Sequence, residues 1–182
     1  MAPMTMAVLA DEDVTKTVKV LGVLVDFPDL PHDDNRLSMG DTGMFYNSYP
    51  ASHYQNLLFS TTGFAGPANN AGNTATLQSA YQYFQDASGK SFFFTGNVID
   101  WVTADKNASY YGGNNADNDD SDNAVPELVK EAVVKAITNM SDAELASYDI
   151  EDPYDLDGDG NTDEADGIID HIMLFHSSVG EE

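Results

Sequence analysis

Between Tyr154 and His171 the chain reads YDLDGDGNTDEADGIIDH, and its acids fall at a spacing that could hold a hard cation. Asp155, Asp157, Asp159, Gly160 and Asp166 occupy positions 1, 3, 5, 6 and 12 of a calcium loop. Calcium takes about six to eight oxygens at roughly 2.3–2.6 Å, and alternate residues of a tight loop can turn inward together. Gly160 permits the sharp turn, Asn161 offers its backbone carbonyl, and Asp163 would act through a water. The expected ligands are therefore Asp155, Asp157, Asp159, Asn161 and Asp166, with the cation offsetting the repulsion among the acids. Position 12 is Asp rather than the usual Glu, which leaves bidentate ligation open. A strand, not a helix, is expected to follow, and the loop has no paired partner. Both features point to structural rather than regulatory calcium.

Other chemistry is harder to find. Residues 117–122, DNDDSD, lack a glycine turn and a distal carboxylate, and read as a solvated loop rather than a second cation site. The histidines are His32, His53, His171 and His176; no pair is spaced i, i+4 and none is followed by Glu, so these residues contain no His-Glu-x-x-His zinc helix. His171 and His176 differ by five, which on a strand sends them to opposite faces. A nucleophilic serine elbow and a phosphate-binding glycine loop are also absent from the sequence, and no carboxylate pair is singled out for glycoside hydrolysis. Taken by themselves, these residues offer a metal site and no catalytic centre.

Composition bounds the function classes. Asp and Glu number 31 against 7 Lys and Arg, a net charge of -24, which repels nucleic acid and anionic membrane. With no cysteine, a disulfide, a thiolate zinc site and a Cys nucleophile are all excluded. The longest apolar run, VLGVLV at 20–25, is too short to span a bilayer, and the first residues lack the pattern of a signal peptide. A hydrophobic content of 42% over 182 residues is enough for one folded unit with a real core.

The elements that must position the loop can be placed from periodicity. Residues 1–16 read as a lead-in and 17–182 as the folded part. TKTVKVLGVLVDF is a buried strand and HYQNLLFS a short helix, with a long loop over 29–52 and another over TTGFAGPANNAGNTA. Leu77, Ala80, Tyr81 and Phe84 share a helical face in a helix expected from Thr76 to a stop at Gly89. KSFFFTGNVIDWVTAD reads as two strands forming a hairpin about Gly96 and Asn97. Residues 112–123 read as an acidic loop. A helix follows, with a stripe from Val125 to Met140 and Pro126 in its first turn. SDAE at 141–144 is a capping box opening a short helix, and GIIDHIMLFHSS a final strand. The expected fold class is α+β (α/β-like), a twisted mixed sheet with backing helices.

Taken in order, VLVDFPD, YFQDASGK, GNVIDWVTADKNASYYGG, LVKEAVVKA and YDLDGDGN through ADGIIDHIMLFHSSVGEE resemble the immune inhibitor A family of secreted bacterial metallopeptidases. The last segment is the most specific, because the acidic loop, Asp170-His171, Phe175-His176 and Gly180-Glu181-Glu182 occur together. The chain differs from the family in carrying Ala165 near a common Pro and Ser178 near a common Gly; neither removes a ligand. The resemblance implies the upper part of a zincin-like catalytic domain, a zinc endopeptidase acting extracellularly on protein or peptide substrates, with the zinc motif beyond Glu182. These residues alone would then be inactive. A non-enzymatic calcium-binding interaction or stabilising module is the main rival expectation, and a glycoside hydrolase fragment a third.

Overall fold

A computed structural model describes residues 15–34, 45–67, 74–115, 118–122 and 124–177. Its centre is strand β1 (Lys16–Asp26), which has a parallel partner on each side. One is β4 (Phe92–Thr103), running from Lys16 opposite Phe92 to Asp26 opposite Thr103, with an irregularity between Val23 and Val25. The other is β7 (His171–His176), with Val20 opposite His171 and Val25 opposite His176. Parallel strands buried on both faces read as continuous apolar runs, which is why VLGVLV does not alternate. Leu21, Val23, Leu24 and Val25 are fully buried.

Each face of β1 feeds its own core. On one side Leu21, Val23, Val25 and Phe27 pack with Tyr111, Tyr148 and Leu128, Ala132 and Ala136. The last three come from helix α4 (Val125–Ile137). On the other side Val20 and Phe94 pack with Leu58 of helix α1 (Ala51–Phe59), and with Ala80 and Phe84 of helix α2 (Ala80–Ala87). The two small antiparallel ribbons are β2 (Phe64–Ala65) with β3 (Thr76–Leu77), and β5 (Asn114–Asn115) with β6 (Asn118–Asp122). Helix α3 (Ala108–Tyr111) carries the buried Tyr111, and α5 (Asp142–Ala146) precedes the acidic loop. Helices with parallel and antiparallel strands make this an α+β fold, as the sequence predicts.

The helix at HYQNLLFS, the long amphipathic helix and the capping box are where periodicity places them: Ser141 Oγ accepts from Glu144 N, and Ser141 N donates to Glu144 Oε2 at 2.8 Å. The α4 stripe is narrower than its spacing suggests, since Val125 and Val129 are exposed while Leu128, Ala132 and Ala136 are buried. Four expectations are corrected. The expected hairpin at Gly96 and Asn97 is one continuous strand, β4. Gly96 is there for close approach: a Cβ would stand 2.1 Å from Val20 O and 2.7 Å from Phe59 Cζ. The helix expected from Thr76 begins at Ala80, because Ser79 and Gln82 form a capping box and Thr76–Leu77 pair instead with Phe64–Ala65. That pairing also puts a short strand into the loop expected at TTGFAGPANNAGNTA. The acidic segment expected as a loop includes the β5–β6 ribbon. Of the lead-in, residues 1–14 lie outside the described residues, and Lys16 already belongs to β1.

Replacing Gly96 by Ala forces its methyl against the β1 backbone and is expected to lower stability by about 1–3 kcal/mol, the usual cost of overpacking. Urea unfolding of the two proteins, compared at unchanged m-value, measures it.

Candidate metal centre

The acidic segment is tied to the core before it turns toward solvent. Tyr148, 2% exposed, packs beside β1; its hydroxyl accepts from Asn97 Nδ2 at 3.0 Å and Lys19 Nζ lies 4.5 Å from its ring centroid. From this anchor the two ends of the segment are clasped by carboxylates that accept backbone amides. Asp149 accepts from Asp166 N and Gly167 N at 2.8 and 2.9 Å. Asp170 Oδ2 accepts from Ile150 N and Glu151 N at 2.8 and 3.1 Å, and its own N donates to Tyr148 O. Charge-assisted bonds of this kind are roughly twice as strong as neutral ones. Asp170 directly precedes β7, so the clasp also fixes where that strand starts.

Within the clasp the chain folds on its own short acids. Asp152 N donates to Thr162 O at 3.0 Å, closing the loop, and Asp152 Oδ2 accepts from Leu156 N at 2.6 Å. Gly160 N donates to Asp155 Oδ1, Asp159 N to Asp157 Oδ1, Asn161 N to Asp159 Oδ1 and Asp163 N to Asn161 Oδ1. Asp155 (φ 49°), Gly158 (78°) and Gly160 (87°) are left-handed, with open space around both glycines, so backbone angle rather than crowding calls for Gly here.

The predicted ligands divide between two places. Asp155, Asp157 and Asp159 bring one oxygen each within 4.8 Å of one another. Asp166 gathers instead with Asp149 and Asp170, its Oδ1 accepting from Ile168 N at 2.8 Å. The side chain of Asn161 bridges Asp163 N and Glu164 Oε2. Asp163 is held at 2.6 Å by Lys16 Nζ, which also lies 3.2 Å from Glu151 and has its pKa raised chiefly by the Asp163 bond. A third trio joins Asp157 with Asp152 and Glu164. Spacing alone did not bring out Asp149, Asp152 or Glu164. For Asp152 the available signal was Asp-Pro, a turn-initiating pair. The second acidic stretch, 117–122, lies largely outside the residues whose side chains are described.

Glu164 has its pKa raised, first by desolvation and then by the charge of Asp159, with smaller contributions from Asp157 and Asp152. The folded state therefore holds this proton more tightly than the unfolded one, and its ionisation costs stability as pH rises through the carboxylate range.

Every trio gathered among the described residues is all-carboxylate, which suits calcium and not zinc, an ion that favours nitrogen and sulfur. The histidines are dispersed. His32 Nδ1 lies 2.7 Å from Asp26 Oδ2 and its ring stacks on Trp101 at 4.5 Å; His53 sits among Tyr46, Tyr49 and Tyr54. His171 lies 3.6 Å from Glu151, while His176 faces Phe27 on the other side of the sheet at 6.4 Å. The described residues do not form a zinc centre, and no catalytic step is assigned to them.

The profile of the family described as Immune inhibitor A peptidase M6, catalytic domain, matches residues 7–182. The pre-pro-metalloprotease PrtV of Vibrio cholerae is 49% identical over 167 residues, 92% of this chain and 17% of that protein. Immune inhibitor A of Bacillus thuringiensis subsp. alesti is 33% identical over 174 residues, 93% of this chain and 24% of that protein. The chain thus spans a quarter or less of the length of these relatives.

In chelator, Glu164→Gln is expected to melt above the parent protein at pH 7, and the difference should close as pH falls below the carboxylate range. Thermal melts of both proteins from pH 7 to 4 check this, with the sign set by the raised pKa.

Proposed function

This chain belongs to the immune inhibitor A peptidase M6 family, and from that premise we propose that it builds the calcium-stabilised first part of the catalytic domain of a secreted, zinc-dependent endopeptidase acting on proteins. The family match over residues 7–182 carries the peptidase reading. The naming of one relative as a pre-pro-metalloprotease supports both the metal and a processed, exported precursor. The parallel sheet with helices on both faces is compatible with the upper part of a zincin-like domain.

In this reading the chemistry that zinc would supply when bound is polarisation of the scissile carbonyl and activation of a water, and its ligands would come from outside these residues. The part played by this chain is architectural. It supplies a rigid sheet, and the clasped acidic loop sets the start of β7. In the same reading calcium is held at the 155–166 loop, with Asp155, Asp157 and Asp159 as its side-chain ligands and Asn161 offering its backbone carbonyl. The convergence of those three carboxylates within 4.8 Å is the observation that supports calcium. Asp166, expected as the twelfth-position ligand, has its carboxylate near those of Asp149 and Asp170 rather than among these three.

Two measurements test the reading. Calcium at 100 times its Kd should add about 2.7 kcal/mol of stability, raising the melting temperature by roughly 5–10 °C for a chain of this size. An unchanged melt at saturating calcium refutes the calcium part. Residues 1–182 supplied with zinc should leave casein uncut, whereas the full-length protein should degrade it in a chelator-sensitive manner. Chelator-sensitive turnover by residues 1–182 alone would place the catalytic centre within them and overturn the division of labour.

A further inference from the structure

Resting on the calcium reading above, we propose that Asp152 and Glu164, not Asp166, complete the coordination shell of the acidic loop. Asp152 is 2% exposed, and only one of its carboxylate oxygens is used: Oδ2 accepts from Leu156 N, while Oδ1 is buried without any hydrogen-bond partner. A buried carboxylate oxygen left without a donor costs free energy unless a cation or other partner meets it. Asp152 lies within 4.8 Å, oxygen to oxygen, of both Asp157 and Glu164, and Asp157 is in turn within that distance of Asp155 and Asp159. Asp157 is thus common to the two trios, and a cation bound there would draw the five acids into one cup. Calcium, with room for about six to eight oxygens, is the cation such a cup fits.

Asp166 is committed elsewhere. Its N donates to Asp149 Oδ1, its Oδ1 accepts from Ile168 N, and its near carboxylates are Asp149 and Asp170. The acid that closes the shell is therefore Glu164, two positions earlier than a standard calcium loop would use, with Asp152 entering three residues before the loop begins. Asp152 also bonds the loop at both ends of its closure, through Thr162 O and Asp155 N. A cation on its free oxygen would stiffen the base as well as the tip.

Hydrogen exchange of the full-length protein, following the amides of residues 152–166 against calcium concentration, reads this loop separately from any other calcium site. Asp152→Asn and Glu164→Gln should each raise the calcium needed for half-protection by about tenfold or more, whereas Asp166→Asn should change it by less than about threefold, as ligand charge sets calcium affinity. Asp152→Asn keeps an oxygen for Leu156 N, and a melt in chelator verifies its fold; should it not fold, Glu164→Gln against Asp166→Asn decides. Either of the first two variants matching the parent, or Asp166→Asn proving the most damaging, overturns the assignment. If the parent loop shows no calcium-dependent protection, the calcium reading itself fails, a result distinct from either.

Discussion

Everything in this chain leans on the burial of β1 between two parallel neighbours and two sets of helices. Leu21, Val23, Leu24 and Val25 lose all contact with water, and fully burying such side chains contributes about 1.5–3 kcal/mol each. A strand covered on both faces and hydrogen-bonded along both edges tolerates no slippage, because a shift by one residue exchanges its two faces. Gly22 and Gly96 mark where this packing is tightest: a Cβ on Gly22 would stand 2.9 Å from Val98 Cγ2. The frame that results is rigid enough to give the acidic segment fixed ends.

The carboxylates of that segment divide into two kinds of work. Asp149 and Asp170 spend their charge on backbone amides, drawing the two ends together beside Tyr148. The acids between them face one another, and Lys16 meets only the outer ones, Glu151 and Asp163. Repulsion is therefore concentrated among the inner acids, where a divalent ion would offset the most charge.

Much of this was legible in the sequence, and the failures share a cause. The α4 stripe, the Ser141 capping box, the continuous apolar β1 and the nearness of Asp155, Asp157 and Asp159 to one another are local signals, fixed by residues a few positions apart. Gly96 misled because a glycine beside Asn signals a turn, whereas its role here is set by Val20 and Phe59, distant in the chain. Thr76 and Leu77 joined the helical pattern by spacing, but Ser79 caps the helix after them. Asp166 matches position 12 by spacing, while the fold brings its carboxylate beside Asp149, seventeen residues earlier, and Asp170, a nearness that spacing does not reveal. Sequence spacing captures what a residue can reach locally, not which distant partner takes it first.

The register of the sheet also carries a cost in time. Lys16 meets Phe92, but Val20 must wait for His171, about 150 residues later in the chain. At roughly 5–20 residues per second of synthesis, one edge of the most apolar strand stays unpaired for about 8–30 seconds. Pairings this remote are slow to form and leave sticky edges open meanwhile. Asp170, just before His171, accepts from Ile150 N and Glu151 N, so closing that clasp brings the start of β7 to where it pairs with Val20.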